Sequence, residues 1–303
     1  MKTRRRNRGL RLHNVLRFGI VVLTVIIPLW VSFHVEWFRG VETLQVLDRH
    51  YELEKSQSAS HNSEYACRVA EHIQNYTGST IWVPSYPGSG SELFRQLVEA
   101  ATGFPAANIY DNQNCSHALT CKTHYPVLKK YSVDTGFDSV ILLVRNPLRA
   151  LPSYSNQHSE KRRGFISHTV QGREADWDQW REKRFSREIR KWRTLIEHWV
   201  DSAAVVVVYE DLMDPESGVR TWATVQAFLR TKAPFDAPNP RCAWDHIQSQ
   251  KAERSHSYTP GFTRKQIDVI LQVLQSLKVT VPTLLPLWTR YEAELHRDAR
   301  VLP

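Results

Sequence analysis

Residues 82–94 read WVPSYPGSGSELF: a β-rich segment runs into Pro-Gly-Ser-Gly-Ser, and an apolar helical pattern follows at once. Strand, glycine turn and helix in that order are the opening half of a parallel α/β unit, so this stretch narrows the architecture more than any other. It also suggests chemistry. Small residues let the backbone approach an anion, and the next helix points its free N–H groups and dipole at it. An ATP-type phosphate loop needs G-x-x-x-x-G-K-[ST], but here Ser91 follows Gly90. The loop therefore favours a phosphorylated ligand other than ATP.

The rest of the chain repeats the alternation. Apolar patterning predicts a helix over 66–76, a strand over 80–86, a helix over 92–102, and strands near 118–123 and over 137–145. Helices over 147–157 and 174–200, a strand over 204–209, and helices over 215–230, 263–278 and 286–297 follow. Strands separated by helices imply a parallel sheet covered on both faces. Val140–Val144 and Val205–Val208 are uninterrupted apolar runs, as expected of central parallel strands.

The formal charge of +9 belongs mostly to one end. Lys2, Arg4, Arg5, Arg6, Arg8, Arg11 and Arg17 precede the first acid, Glu36, and leave only +2 for everything else. No nucleic-acid partner is implied. From Phe18 to Val35 the chain is uncharged and apolar, long enough to cross a thin bilayer. The preceding arginines place the N-terminus in the cytosol, and Trp30 and Trp37 suit the far interface. A cleaved signal peptide is the rival, but the run exceeds an ordinary h-region and lacks a small-x-small cleavage site. The expected organisation is a basic cytoplasmic tail (1–17), an uncleaved signal anchor (18–35), a stem and Ser-rich linker (36–64), and a lumenal domain (65–303). The sequons at Asn75 and Asn114 agree with a lumenal body. Among four cysteines, Cys115 and Cys121 suit a local bridge, which leaves Cys67 and Cys242 for a second; buried free thiols are the other reading. No cysteine or histidine spacing suggests a metal.

Three further segments join the loop. Cys121-Lys122-Thr123-His124-Tyr125-Pro126 puts a lysine and a histidine two apart at a strand end. They share a face there, a fixed cation beside a base of near-neutral pKa. In Arg145-Asn146-Pro147-Leu-Arg149-Ala-Leu-Pro152-Ser153, a buried strand ends in an arginine, Asn146 can cap a helix, and Pro147 takes its first position. Arg145 and Ser153 can grip one anion, by a bidentate fork and a hydroxyl. Val205–Tyr209 followed by Glu210-Asp211 ends a strand in an aromatic residue and two acids, to which no catalysis is assigned.

In this order the motifs resemble the sulfotransferases that use 3′-phosphoadenosine-5′-phosphosulfate (PAPS). SYPGSGSELFRQLVE is similar to their 5′-phosphosulfate loop, KTHYP to the segment of their catalytic base, VRNPLRALPSY to their 3′-phosphate motif, and VVYEDL to the strand beyond. The resemblance spans residues 80–212. It looks closest to membrane-anchored relatives of the WSC-domain sialate sulfotransferases, although no cysteine-rich WSC domain is present. It implies the sulfotransferase fold, a P-loop-like parallel sheet flanked by helices, behind an N-terminal transmembrane helix. It implies PAPS as co-substrate, with no metal, held by Pro87, Gly88, Ser89, Gly90, Ser91 and Glu92, by Arg145 and Ser153 at the 3′-phosphate, and by Tyr209 at adenine. His124 becomes the general base, and Lys122 and Arg95 the cations that stabilise the transition state. Arg254 is the loose counterpart of a basic loop that also contacts the 3′-phosphate. The chain departs from the family pattern at Gly88, where many members carry a catalytic lysine, and at Glu92-Leu93, where they carry Thr-Trp.

The expected acceptor is a hydroxyl of a glycan or of protein tyrosine at the Golgi membrane. Trp177 and Trp180 can stack on a sugar, and Lys161, Arg162 and Arg163 can attract an acidic glycan; a solvated amphipathic helix that buries its tryptophans is the alternative. Two other classes stand beside the enzyme. One is a degenerate relative that binds the nucleotide without turnover, since Glu92 puts a carboxylate beside the donor. The other is a lumenal P-loop kinase, against which the missing lysine counts.

Overall fold

The computed structural model describes residues 76–110, 115–128, 139–164, 172–236, 239–249 and 260–302. All belong to the second of two units into which the chain divides, Met1–Glu64 and Tyr65–Pro303. The expected anchor, both sequon asparagines, Cys67 and Arg254 lie outside the described residues. Among these residues no single helix is long and apolar enough to cross a membrane.

Five strands form the central sheet: β1 (Ile81–Pro84), β2 (Ala106–Asn108), β3 (Thr120–Thr123), β4 (Ser139–Val144) and β5 (Val205–Val208). Their order is β2-β3-β1-β4-β5 and every pairing is parallel. The helices are α1 (Ser91–Thr102), α2 (Pro147–Arg162), α3 (Glu174–Trp199), α4 (Tyr209–Met213), α5 (Gly218–Arg230), α6 (Pro240–Ser249), α7 (Arg264–Thr280) and α8 (Leu285–Asp298). A two-stranded parallel pair, β6 (Gly261–Thr263) and β7 (Arg300–Leu302), joins the chain ahead of α7 to the end of α8.

Strand β4 shows why the sheet is covered on both sides. Val140, Leu142 and Val144 pack into one core with the tryptophans of α3 and the apolar faces of α7 and α8. Ile141 and Leu143 point the other way, into a core with Phe94 and Leu97 of α1, Trp222 of α5 and Ile247 of α6. Because alternate side chains face opposite sides of a sheet, a run apolar at every position from Val140 to Val144 must be sandwiched. All six residues of β4 are buried.

The topology selects the place for a ligand. After β1 the chain crosses toward β2 and β3; after β4 it crosses the other way, to β5. Strands β1 and β4 are neighbours, so the crevice beyond their carboxyl ends is the switch point where open α/β sheets bind ligands. The glycine loop leaves β1 there, and Arg145 leaves β4.

Differences from the sequence reading are local. The last strand stops at Val208, and Tyr209 opens the short helix α4 rather than ending a strand. Helix α2 runs on to Arg162 past a weakly apolar stretch, held by the buried Ser155, Asn156, Ser159 and Glu160. Strand β2 is Ala-Ala-Asn and carries no β-branched signal. Helix α6 had a signal that passed unread: Asn239 accepts the Arg241 amide at 2.9 Å, with Pro240 in the first helical position. The disulfide between Cys115 and Cys121 is formed and ties the approach to β3 onto that strand. Cys242 is also disulfide-bonded.

Candidate anion-binding and proton-transfer site

The loop after β1 is built by two glycines that no other residue replaces without strain. Gly88 and Gly90 sit at φ +88° and +86°, in the left-handed region. A Cβ on Gly88 would lie 2.5 Å from the carbonyl oxygen of Ala150 and 3.1 Å from Cβ of Ser153, so the loop is pressed against α2. A Cβ on Gly90 would lie 2.1 Å from the Tyr209 ring. The loop is thus closed on one side by α2 and on the other by Tyr209. Gly90 also stands at the N-cap of α1 with no side chain capping it, which leaves that helix end to other acceptors.

Arg145 locks the arrangement. Its Nη1 donates to the Gly88 carbonyl at 2.7 Å, and its guanidinium lies 4.2 Å above the Tyr209 ring. Burial pushes its pKa down, opposed by Tyr209 and Glu210, though an arginine stays charged under such a bias. Two buried polar atoms here lack a hydrogen-bond partner, Oγ of Ser89 and Nε of Arg145. Unpaired buried donors cost about 1–3 kcal/mol each unless something accepts from them. A cradle that a Cβ would fill, an uncapped helix and unpaired donors fit a phosphate. Pro87, Gly88, Ser89, Gly90, Ser91, Arg145, Ser153 and Tyr209 are therefore brought together.

His124 stands just beyond the end of β3. Its Nδ1 lies 2.7 Å from the carbonyl oxygen of Ser85 and 3.5 Å from that residue's Oγ. A carbonyl only accepts, so Nδ1 carries the proton and the lone pair is left on Nε2, the atom a base needs. Burial first, then the Lys122 charge, lowers its pKa from 6.5 to about 3, against the Ser85 carbonyl, which raises it. The imidazole is neutral throughout the physiological range. The Tyr110 ring is stacked on it, centroids 5.2 Å apart and planes 14° apart, and the Tyr110 hydroxyl accepts the His124 amide at 2.7 Å.

Lys122, buried on β3, has Glu92 Oε2 at 3.9 Å. Arg95 donates to Glu92 through Nε at 3.1 Å and Nη2 at 2.7 Å, and through Nη1 to Glu99 at 2.7 Å and to the Ala106 carbonyl at 3.2 Å. Arg95 is thus spent on pinning Glu92 and tying α1 to β2. The carboxylate in the first turn of α1 is balanced by cations on both sides.

Elsewhere the structure separates expected roles. Trp177 and Trp180 are 0% and 4% exposed, stacked on each other within the core beside Phe262, so burial and not sugar stacking is their role. Lys161 and Arg162 are exposed at the end of α2, and Lys161 is close enough to act on His124. Glu210 is a brace: it accepts the Asn146 amide at 3.0 Å and the Tyr291 hydroxyl at 3.0 Å, which fixes the turn after β4. Ser85 and Tyr110 were missed in the sequence. Ser85 acts through its carbonyl, which carries no residue signature, and Tyr110 lies in an unpatterned segment.

The described residues therefore form a parallel α/β domain with a glycine loop and a neutral histidine at one end of its sheet. No family model matches the chain. Over 146 residues it is 30% identical to WSCD family member CG9164 of Drosophila melanogaster, covering 43% of this chain and 44% of that protein. Over 176 residues it is 29% identical to WSCD family member GA21586 of Drosophila pseudoobscura pseudoobscura, 52% of each. The chain spans about half the length of these curated relatives. The likeness supports a distant kinship with proteins of that name.

Proposed function

We propose that residues 65–303 transfer a sulfuryl group from PAPS to a hydroxyl of a glycan or glycoprotein in the Golgi lumen, on a type II chain anchored by residues 18–35. The observation that carries this reading is the pairing of a glycine cradle holding unpaired buried donors with a buried, neutral His124. The distant kinship with WSCD family members and the order of the motifs support it.

In this scheme the loop 87–92 and Ser89 hold the 5′ end of the nucleotide, Arg145 and Ser153 its 3′-phosphate, and Tyr209 its adenine; Arg254 is proposed as a further phosphate contact. The donor supplies an activated sulfuryl group. His124 Nε2 takes the acceptor's hydroxyl proton as its oxygen attacks sulfur, a role that contributes about 10²–10⁴-fold. Lys122, held within reach by Glu92, offsets charge on the leaving oxygen. Arg95 acts through Glu92, whose carboxylate it restrains. With these cations in place the scheme requires no metal. Lys161 and Arg162 give the mouth a positive edge suited to an acidic glycan.

One observation favours a second reading. Glu92 already serves Lys122 as a counter-ion, so a nucleotide-binding protein without turnover would show the same geometry. Both readings require nucleotide binding. Calorimetric titration with adenosine 3′,5′-bisphosphate should give saturable binding that Arg145→Ala weakens at least tenfold, with ATP binding more weakly. No binding of the bisphosphate overturns both.

A further inference from the structure

We propose that Tyr110 is a positioning residue for His124: it holds the imidazole in one plane and one tautomer and keeps water from one of its faces. The proposal goes beyond the transfer reaction and rests on that reading only for its catalytic consequence. Three contacts carry it. The ring is stacked nearly parallel on the imidazole, 14° from its plane. The hydroxyl accepts the backbone N–H of His124 at 2.7 Å, so one side chain grips both the ring and the main chain of the same residue. Tyr110 is itself held, since its amide donates to Asn108 Oδ1 at 3.1 Å and its hydroxyl bonds Thr123. That anchors it to β2 and β3 together.

Opposite this clamp is the Ser85 carbonyl at the end of β1, which takes the Nδ1 proton. The imidazole is therefore fixed by residues that follow three neighbouring strands, Tyr110 after β2, His124 itself after β3, and Ser85 after β1. A half-turn flip about χ2 would put carbon in place of Nδ1 at the carbonyl, and a partial rotation would break the stack. A base that keeps Nε2 aimed forward needs such restraint, because displacement by an ångström can cost about a hundredfold. The charged groups that act on the ring are Lys122 from β3 and Lys161 from α2, both of which disfavour its protonation. Tyr110 adds to them by excluding water.

The test uses the full chain and reads His124 by imidazole ¹⁵N NMR without substrate, alongside turnover. Tyr110→Phe keeps the stack and loses the hydroxyl; Tyr110→Leu keeps apolar volume and loses the stack. Tyr110→Phe should leave His124 neutral, with the proton on Nδ1, down to pH 5. Tyr110→Leu should raise its titration midpoint by at least one pH unit and populate the other tautomer. In turnover, Tyr110→Leu should lower kcat at least tenfold with KM for PAPS within twofold, adding an acid limb to the pH profile. An unchanged midpoint and tautomer in Tyr110→Leu overturns the proposal even if activity falls. If the NMR changes occur but the wild-type chain transfers no sulfate, the clamp stands and the sulfotransferase reading fails. Should Tyr110→Leu not fold, the same shift must appear in Asn108→Ala, which removes the acceptor that anchors Tyr110, and its absence there overturns the proposal.

Discussion

At the scale of single residues, His124 links the chemistry to a property measurable in the absence of any ligand. Its folded pKa, about 3, lies below the ordinary 6.5, so folding favours the neutral ring. The unfolded chain binds the proton more readily, and this stabilisation is fully present above pH 6.5 and lost as pH falls toward 3. His124→Gln cannot titrate, so the gap in thermal midpoint between wild type and variant should shrink or reverse on acidification from pH 7 to 4; a constant gap contradicts the burial. The glycines offer a second test with its own control. Gly164 has φ +79° with nothing within 4 Å of a built Cβ, whereas Gly90 has the Tyr209 ring at 2.1 Å. Gly164→Ala should cost only the left-handed penalty, about 1–2 kcal/mol. Gly90→Ala should cost more by urea midpoint and should reduce bisphosphate affinity at least tenfold. Equal losses would show that Tyr209 does not press on the loop.

At the scale of elements, the segment Cys115–Cys121 is the approach to the strand that carries Lys122. Closing so short a loop restricts the unfolded chain by about 2 kcal/mol. The double variant Cys115→Ser/Cys121→Ser should lose about that much by denaturant titration, and turnover should fall as β3 loosens; full stability would remove the disulfide from the account. The elements also show what a sequence displays. Strand β4 was legible because Val140–Val144 is an unbroken apolar run, and α2 because Asn146 caps it through Leu148 at 2.9 Å with Pro147 in its first position. Arg145, Lys122 and His124 were legible as candidates because a charged or titratable side chain stands at or near the end of a strand. Ser85 was illegible because its backbone carbonyl does the work. Tyr110 was illegible because its partner is fourteen residues away across a sheet crossing. Glu92 reads as adverse to an anion, with Arg95 one turn on able to offset its charge; the structure forms that pair and adds Lys122, which the sequence does not show converging on it.

At the scale of the whole molecule, the proposed type II topology makes a prediction of its own. The excess positive charge precedes residue 18, and the disulfides of the folded unit suit an oxidising lumen. A lumenal body should carry N-glycans at Asn75 or Asn114. Synthesis of the full chain with microsomes should therefore give a glycosidase-sensitive increase in mass, abolished in Asn75→Gln/Asn114→Gln. A protease-accessible, unglycosylated body would place the domain on the cytosolic side instead. In the proposed function, nucleotide binding rests on the sheet order, which brings the loop of β1 and the arginine of β4 to one switch point, and turnover rests on one atom, His124 Nε2. The most direct measurement is transfer of labelled sulfate from PAPS to an array of acidic glycans, neutral glycans and tyrosine peptides. Wild type should label at least one glycan class, and His124→Ala should lose at least a hundredfold of that rate with its bisphosphate affinity unchanged. Tight bisphosphate binding with no labelled product from wild type, or full turnover by His124→Ala, contradicts the account.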